Sequence, residues 1–154
     1  MHPEAQAWIE KLQLQPHPEG GWYRESYRAE TRVETPAGPR AAGTCIWFLL
    51  AGDDVSHLHR LAADEIWHFY AGGPLTIHLL TEKGHQSLAL GPGRFQQIVP
   101  AHTWFGASLD NGNDYALVGC TMAPGFDFAD FEMGSRASLL AEFPHHAGLI
   151  EKLT

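Results

Sequence analysis

The chain has 154 residues, 44% hydrophobic and 18% charged, a length and mix that suit one domain and exclude disorder driven by low hydrophobicity and high charge. Eighteen acidic residues stand against ten Lys and Arg, a formal charge of −8 with neutral histidine. No basic stripe is present, so the expectation is no nucleic-acid partner and no attraction to an anionic membrane surface.

Taken in chain order, residues 3–14 read as a short amphipathic helix, with Ala5, Trp8 and Leu12 at helical spacing, and Pro16, Pro18, Gly20 and Gly21 end it. From Trp22 the texture changes to short strands broken by turn residues. Thr44 to Leu50, Glu65 to Tyr70, Leu75 to Leu80, Phe95 to Val99 and Tyr115 to Met122 are apolar or aromatic runs bounded by glycine and proline. Such spacing predicts an all-β sandwich or barrel over about 22–123. Ser135 suits a helix cap before Arg136 to Phe143, and Pro144 opens a second helical stretch ending near Leu153, a C-terminal helical segment over 135–153. The organisation expected is a single domain over 1–154, running helix, barrel, helix.

The longest apolar run, Cys45 to Ala51, is too short to span a bilayer, and the start MHPEAQAWIE lacks the basic beginning and apolar core of a signal peptide. A cytoplasmic location is therefore expected. Cys45 and Cys120 sit in apolar stretches without Cys-x-x-Cys spacing and read as free thiols.

Ten histidines and five tryptophans are the unusual counts, and they cluster. In GDDVSHLHRLAADEIWHFYAGG, His57 and His59 are two apart and share a face on a regular strand. Glu65, Trp67 and Phe69 share one face of the next strand, and His68 takes the other. A carboxylate on an apolar face needs a partner or a shifted pKa. His57, His59 and Glu65 meeting inside a barrel could bind a divalent metal, or the same groups could act as general acid and base.

These residues resemble the cupin superfamily. His57, His59, Glu65 and Gly72 follow the outline of its first motif, with a longer gap between His59 and Glu65 than is usual. GPGRFQQIVPAHTWFGA (91–107) resembles its second motif, with Phe105 where the usual histidine would fall and His102 in place of the usual glycine. The match to the cupin-5 family covers nearly the whole chain: HPEGGWYRESYR (17–28), HRLAADEIWHFYAGGPL (59–75), QQIVPAHTWFGA (96–107) and GCTMAPGFDFADFE (119–132). That family's motif matches His59, Asp64, Glu65, Trp67, His68, Gln97, Pro100 and Trp104, and His57 lies outside it. The resemblance implies a cupin double-stranded β-helix, a jelly-roll-like barrel with terminal helices, commonly a homodimer, with its site inside the barrel. The family's activity is poorly defined; its barrels look similar to sugar-nucleotide epimerases and isomerases and to plant storage and auxin-binding proteins.

Three functional readings stand side by side. The first is an isomerase- or epimerase-like enzyme on a small polar or sugar-like molecule, with His59 as base tuned by Glu65 or His68. Arg24 or Arg28 would hold an anion and Tyr23 or Tyr27 would return a proton. Trp67, Gln97 and Trp104 would line the ligand, with Gln97 orienting it or bracing Glu65. The second is a metal-dependent, oxygenase-like cupin using His57, His59 and Glu65, with His102 or His68 as a fourth ligand. The third is a non-catalytic ligand-binding module. A homodimer through aromatic strands such as Trp47 to Leu50 is expected in each.

Overall fold

The computed structural model describes residues 1–110 and 114–154. Helix α1 (Pro3–Leu12) begins where the His2 ring accepts the Glu4 amide proton and ends at Gln13 in the left-handed conformation. The strands then run β1 (Gln15–Pro16), β2 (Trp22–Arg28), β3 (Arg32–Thr35), β4 (Gly38–Ala41), β5 (Thr44–Ala51), β6 (Val55–Arg60) and β7 (Glu65–Gly72). After these come β8 (Leu75–Thr81), β9 (Gly84–Leu90), β10 (Gln96–Val99), β11 (Trp104–Leu109), β12 (Tyr115–Met122) and β13 (Glu132–Met133). Helices α2 (Arg136–Glu142) and α3 (Ala147–Lys152) close the chain, and Ser135 caps α2 as the sequence predicts. No helix among the described residues is long and apolar enough to cross a membrane.

The strands form a six-stranded sheet in the order β1-β2-β5-β12-β7-β10, a five-stranded sheet in the order β13-β6-β11-β8-β9, and the β3–β4 hairpin. The all-β expectation with a helix at each end is therefore met. The main core lies between the two large sheets: Phe48, Leu50, Trp67, Val118 and Cys120 from one meet Ile77, Leu79 and Phe105 from the other. Alternation explains this, because strand positions two apart share a face. The outer faces are covered by the helices. Ala5 and Ile9 of α1 pack on Leu49, Tyr115 and Leu117, while Leu139 of α2 and Ile150 of α3 pack on Leu58, Leu80 and Trp104.

Covering the larger sheet has a consequence for the expected interface. Phe48 and Leu50 face the core and Leu49 is sealed beneath α1, while Trp47 stays half-buried with its ring against Tyr70. The large apolar side chains left exposed near β7 and β10 are Tyr70, Phe95 and Ile98.

Candidate functional site

The site begins in the turn between β1 and β2, His17-Pro18-Glu19-Gly20-Gly21. Both glycines have positive φ, 100° and 72°, and a Cβ at position 20 would collide with the Val55 carbonyl. Only glycine lets the turn lie this close to β6. The His57 amide and its Nδ1–H both donate to the Glu19 carbonyl, at 2.6 and 2.7 Å, and pin the turn there. Glu19 is thereby turned inward and is only 7% exposed.

Strand β6 carries an extra residue opposite β11: Phe105 pairs with His59 and Ala107 with Ser56. Such a bulge breaks the alternation of faces. Ser56 and His59, three apart, therefore both reach Glu19. Ser56 Oγ donates to Glu19 Oε1 at 3.0 Å and His59 Nε2 to Glu19 Oε2 at 2.9 Å. His59 Nδ1 donates to the His57 carbonyl at 2.6 Å. Carboxylate and carbonyl can only accept, so both ring nitrogens carry protons and His59 is an imidazolium. Burial opposes that charge, but Glu19's charge and hydrogen bond outweigh burial and hold the His59 pKa above its ordinary value. For Glu19, burial pushes upward, yet His59, His17 and Ser56 together bring the carboxyl below its ordinary range. For His17, burial outweighs the nearby Glu19 and lowers the pKa, which keeps this ring neutral.

Glu65 is the second buried carboxyl, at the start of β7 and 8% exposed. The Trp67 indole N–H donates to its Oε1 at 2.7 Å. Burial first, and the negative charge of Glu19 second, push its pKa up to about 7, against the opposing effects of His59 and Trp67.

Glu19 and Glu65 line a cavity of about 460 Å³. Its mouth is built from β2, where a second bulge intervenes: Glu25 pairs with Ile46 and Tyr27 with Cys45. The bulge turns Tyr27 out, 60% exposed, and brings Arg28 round to the side of Tyr23 and Glu25. Arg28 meets Glu25 with two parallel bonds of 2.8 Å and donates to the Phe126 carbonyl at 2.9 Å. The strap that follows β12 supplies Phe126, Asp127 and Phe128 to the wall.

Of the residues singled out from the sequence, Tyr23, Arg28 and Glu65 line this cavity, with His59 and Trp67 immediately behind Glu65. His59 is 1% exposed, its ring lying between Phe105 and Phe131 with centroids 4.2 and 5.4 Å away, which leaves it no room to meet a substrate as a base. Others lie elsewhere. Arg24 donates to the Leu12 carbonyl and to Gln13, bracing α1. His68 is on the outer face, bonded to Thr121 and Gln96. Gln97 donates to the Ala89 carbonyl at 2.6 Å, tying β10 to β9 rather than bracing Glu65. Trp104 lies under the Arg60 guanidinium among the C-terminal helices. His102, exposed, adopts φ 60°, the conformation a glycine would suit. Two site residues, His17 and Glu19, received no role from the sequence; the signal was a Glu immediately before Gly-Gly, a turn able to press an acid into a core.

The expected metal set does not fit this arrangement. Both His59 ring nitrogens donate, to Glu19 and to the His57 carbonyl, so His59 has no lone pair left for a metal, and Phe105 packs on its ring; the set loses its middle ligand. Among the described residues no three His, Cys, Asp or Glu side chains are grouped to hold a metal ion.

Two facing antiparallel sheets with short terminal helices and a polar site between them make this a cupin-fold protein. More particularly, residues 6–134 match the family described as Cupin superfamily (DUF985), and the chain belongs to it. It is similar to a protein from Shewanella oneidensis at 42% identity and TM-score 0.88, covering 97% of this chain and 96% of that one. It is also similar to a hypothetical protein from Leishmania major at 36% identity and TM-score 0.91, covering 97% and 98%. A dTDP sugar isomerase from Desulfovibrio desulfuricans shares the fold at 16% identity and TM-score 0.53, over 73% of this chain and 83% of that one. No curated protein matches the chain.

Proposed function

We propose that this cupin is an acid–base enzyme of the isomerase kind, in which Glu65 moves a proton on a small polar molecule held inside the barrel. The observation that carries this reading is the Glu65 carboxyl itself. It sits on the cavity wall with one oxygen held by Trp67, and its pKa is about 7. A general base works best with a pKa near the working pH, and a buried carboxyl reaches that value only when its surroundings push it there. The roles expected from the sequence are thus exchanged: Glu65 does the chemistry, and His59 holds Glu19 in the charged form that raises Glu65. In a one-base isomerisation the Glu65 carboxylate takes the proton from the hydroxyl-bearing carbon beside a carbonyl, giving an enediolate; the hydroxyl proton passes to the former carbonyl oxygen, and the Glu65 carboxyl returns its proton to the former carbonyl carbon. Gln15, Tyr23 and Thr44 supply hydrogen-bonding groups to the bound molecule from the same wall.

The test is hydrogen exchange from D2O into hydroxy-aldehydes, ketoses and amino sugars, followed by proton NMR. The expected result is exchange that rises with pH through about 7 and falls by about 10²–10⁴ in Glu65→Gln. A molecule that binds in the cavity without any exchange would overturn the enzymatic reading and leave a ligand-binding cupin. The proposal includes a homodimer, supported by the exposed Tyr70, Phe95 and Ile98; sedimentation velocity of Ile98→Asp checks it, with a shift to monomer expected.

A further inference from the structure

We infer that the barrel cavity selects a small organic cation, a molecule bearing an ammonium group, over neutral and anionic molecules of the same shape, with Asp127 as the selecting group at its mouth and Glu25 as the group that neutralises Arg28 there. This rests on the barrel cavity being the ligand site, and it reverses the anion-holding role that arginines in 17–28 suggest.

The charges on the wall are unequal. Four carboxyl groups line the cavity, Glu19, Glu25, Glu65 and Asp127, and the one Lys or Arg among its lining residues is Arg28. Glu19 is balanced from behind by His59. Arg28 is consumed: two bonds of 2.8 Å go to Glu25 and one of 2.9 Å to the Phe126 carbonyl. A ligand carboxylate or phosphate would have to displace Glu25 from a two-pronged pair and then face the remaining acids. Arg28 and Arg40 both feel the charge of Asp127, but Arg40 is bound two-pronged to Asp130, at 2.8 Å for each bond. Asp127 gives Oδ1 to the Ala129 amide as a turn cap. Its other oxygen has no protein donor among the described residues, and neither Asp127 nor Glu65 has a cation hydrogen-bonded to it.

The apolar part of the wall favours the same ligand class. Tyr23, Phe126 and Phe128 line the cavity beside these acids, and aromatic faces attract ammonium groups while gaining nothing from carboxylates. Carboxylates and aromatic rings around one space suit a cation on both counts. An anion would lose its water with no unpaired Lys or Arg on the wall to offset its charge.

The experiment uses two matched sets of probes: cyclohexylamine, cyclohexanol and cyclohexanecarboxylate, and glucosamine, glucose and glucuronate. Each is titrated calorimetrically into the full chain and into Glu25→Gln and Asp127→Asn. Glu25 is at the exposed mouth and asparagine caps turns as well as aspartate, so both variants fold; circular dichroism verifies this. In any set that binds, the amine is expected to bind at least about tenfold tighter than its alcohol and its acid. Each variant should lose about tenfold of amine affinity, and Glu25→Gln, with Arg28 released, should gain acid binding. An acid or alcohol binding as tightly as its amine, or no amine binding up to tens of millimolar, overturns the inference. Hydrogen exchange is read separately. Glucosamine that binds without exchange sinks the acid–base reading alone, and glucuronate that binds as tightly and exchanges sinks this inference alone; the cyclohexyl set has no hydrogen beside an aldehyde or ketone and reads binding only.

Discussion

Glu19 and Glu65 are the same side chain, buried to nearly the same degree on the wall of one cavity, and they titrate in opposite directions. Glu19 comes from a turn pinned against β6, where Ser56 and the imidazolium of His59 both donate to it. Glu65 comes from the start of β7, where its one donor is a neutral indole and its neighbour Glu19 is already negative. Burial raises both groups; only the partner supplied to each differs. One carboxyl becomes half of an ion pair and the other keeps a proton available near neutral pH.

The largest effect that would break this comparison is Glu19→Ala. It leaves a buried imidazolium without its counter-charge, and we expect a loss of about 3–5 kcal/mol in urea unfolding. The pH dependence should locate the pair. Glu19 contributes above its unfolded-state pKa and loses that contribution as pH falls through its lowered folded value; His59 contributes below 6.5 and loses it as pH rises through its raised value. In the same variant Glu65 loses its negative neighbour, so its titration midpoint, followed by carboxyl NMR, should fall.

Next in size is Glu65→Gln. Because the folded pKa, about 7, exceeds the ordinary 4.5, the native protein binds this proton more tightly than the unfolded chain between those values. Stability therefore falls as pH rises across that interval, by ~3 kcal/mol in all. The glutamine variant has no such loss, so thermal unfolding should show it more stable than the parent above pH 7 and little different below 4.5. A variant less stable at every pH would show that the Glu65 carboxylate is not strained by its surroundings.

Trp67→Phe sharpens the comparison further. It removes the one hydrogen bond that favours the charged form of Glu65, so the midpoint of the activity–pH profile should move up by under about one pH unit, equivalent to ~1 kcal/mol. The smallest effect is expected for Arg24→Ala. Its guanidinium donates to the Leu12 carbonyl and to Gln13 at the surface, so stability should change by no more than about 0.5 kcal/mol, with ligand affinity unchanged in calorimetry.

Strand and helix positions were largely legible in the chain, because glycine and proline punctuate it and the apolar runs between them have few other ways to be buried. Glu65 was legible too, as an acid placed in phase with Trp67 and Phe69 on an apolar face. Glu19 was not, because its inward turn depends on Gly20 and Gly21 meeting the Val55 and Leu49 carbonyls on strands far away in the chain.

By itself the sequence determined the kind of fold, the register of apolar faces within each regular strand, and the presence of a carboxyl that had to be buried. Only the tertiary structure decided which polar residues share the cavity. Two bulges, one in β2 and one in β6, reverse the alternation at the positions that matter: Arg28 replaces Tyr27 at the mouth, and Ser56 joins His59 on Glu19 while His57 is left facing a backbone carbonyl. A bulge exists only in relation to the strand it pairs with, and the partners of β2 and β6, β5 and β11, lie well apart from them in the chain. No period read along one strand can show where its neighbour makes it skip.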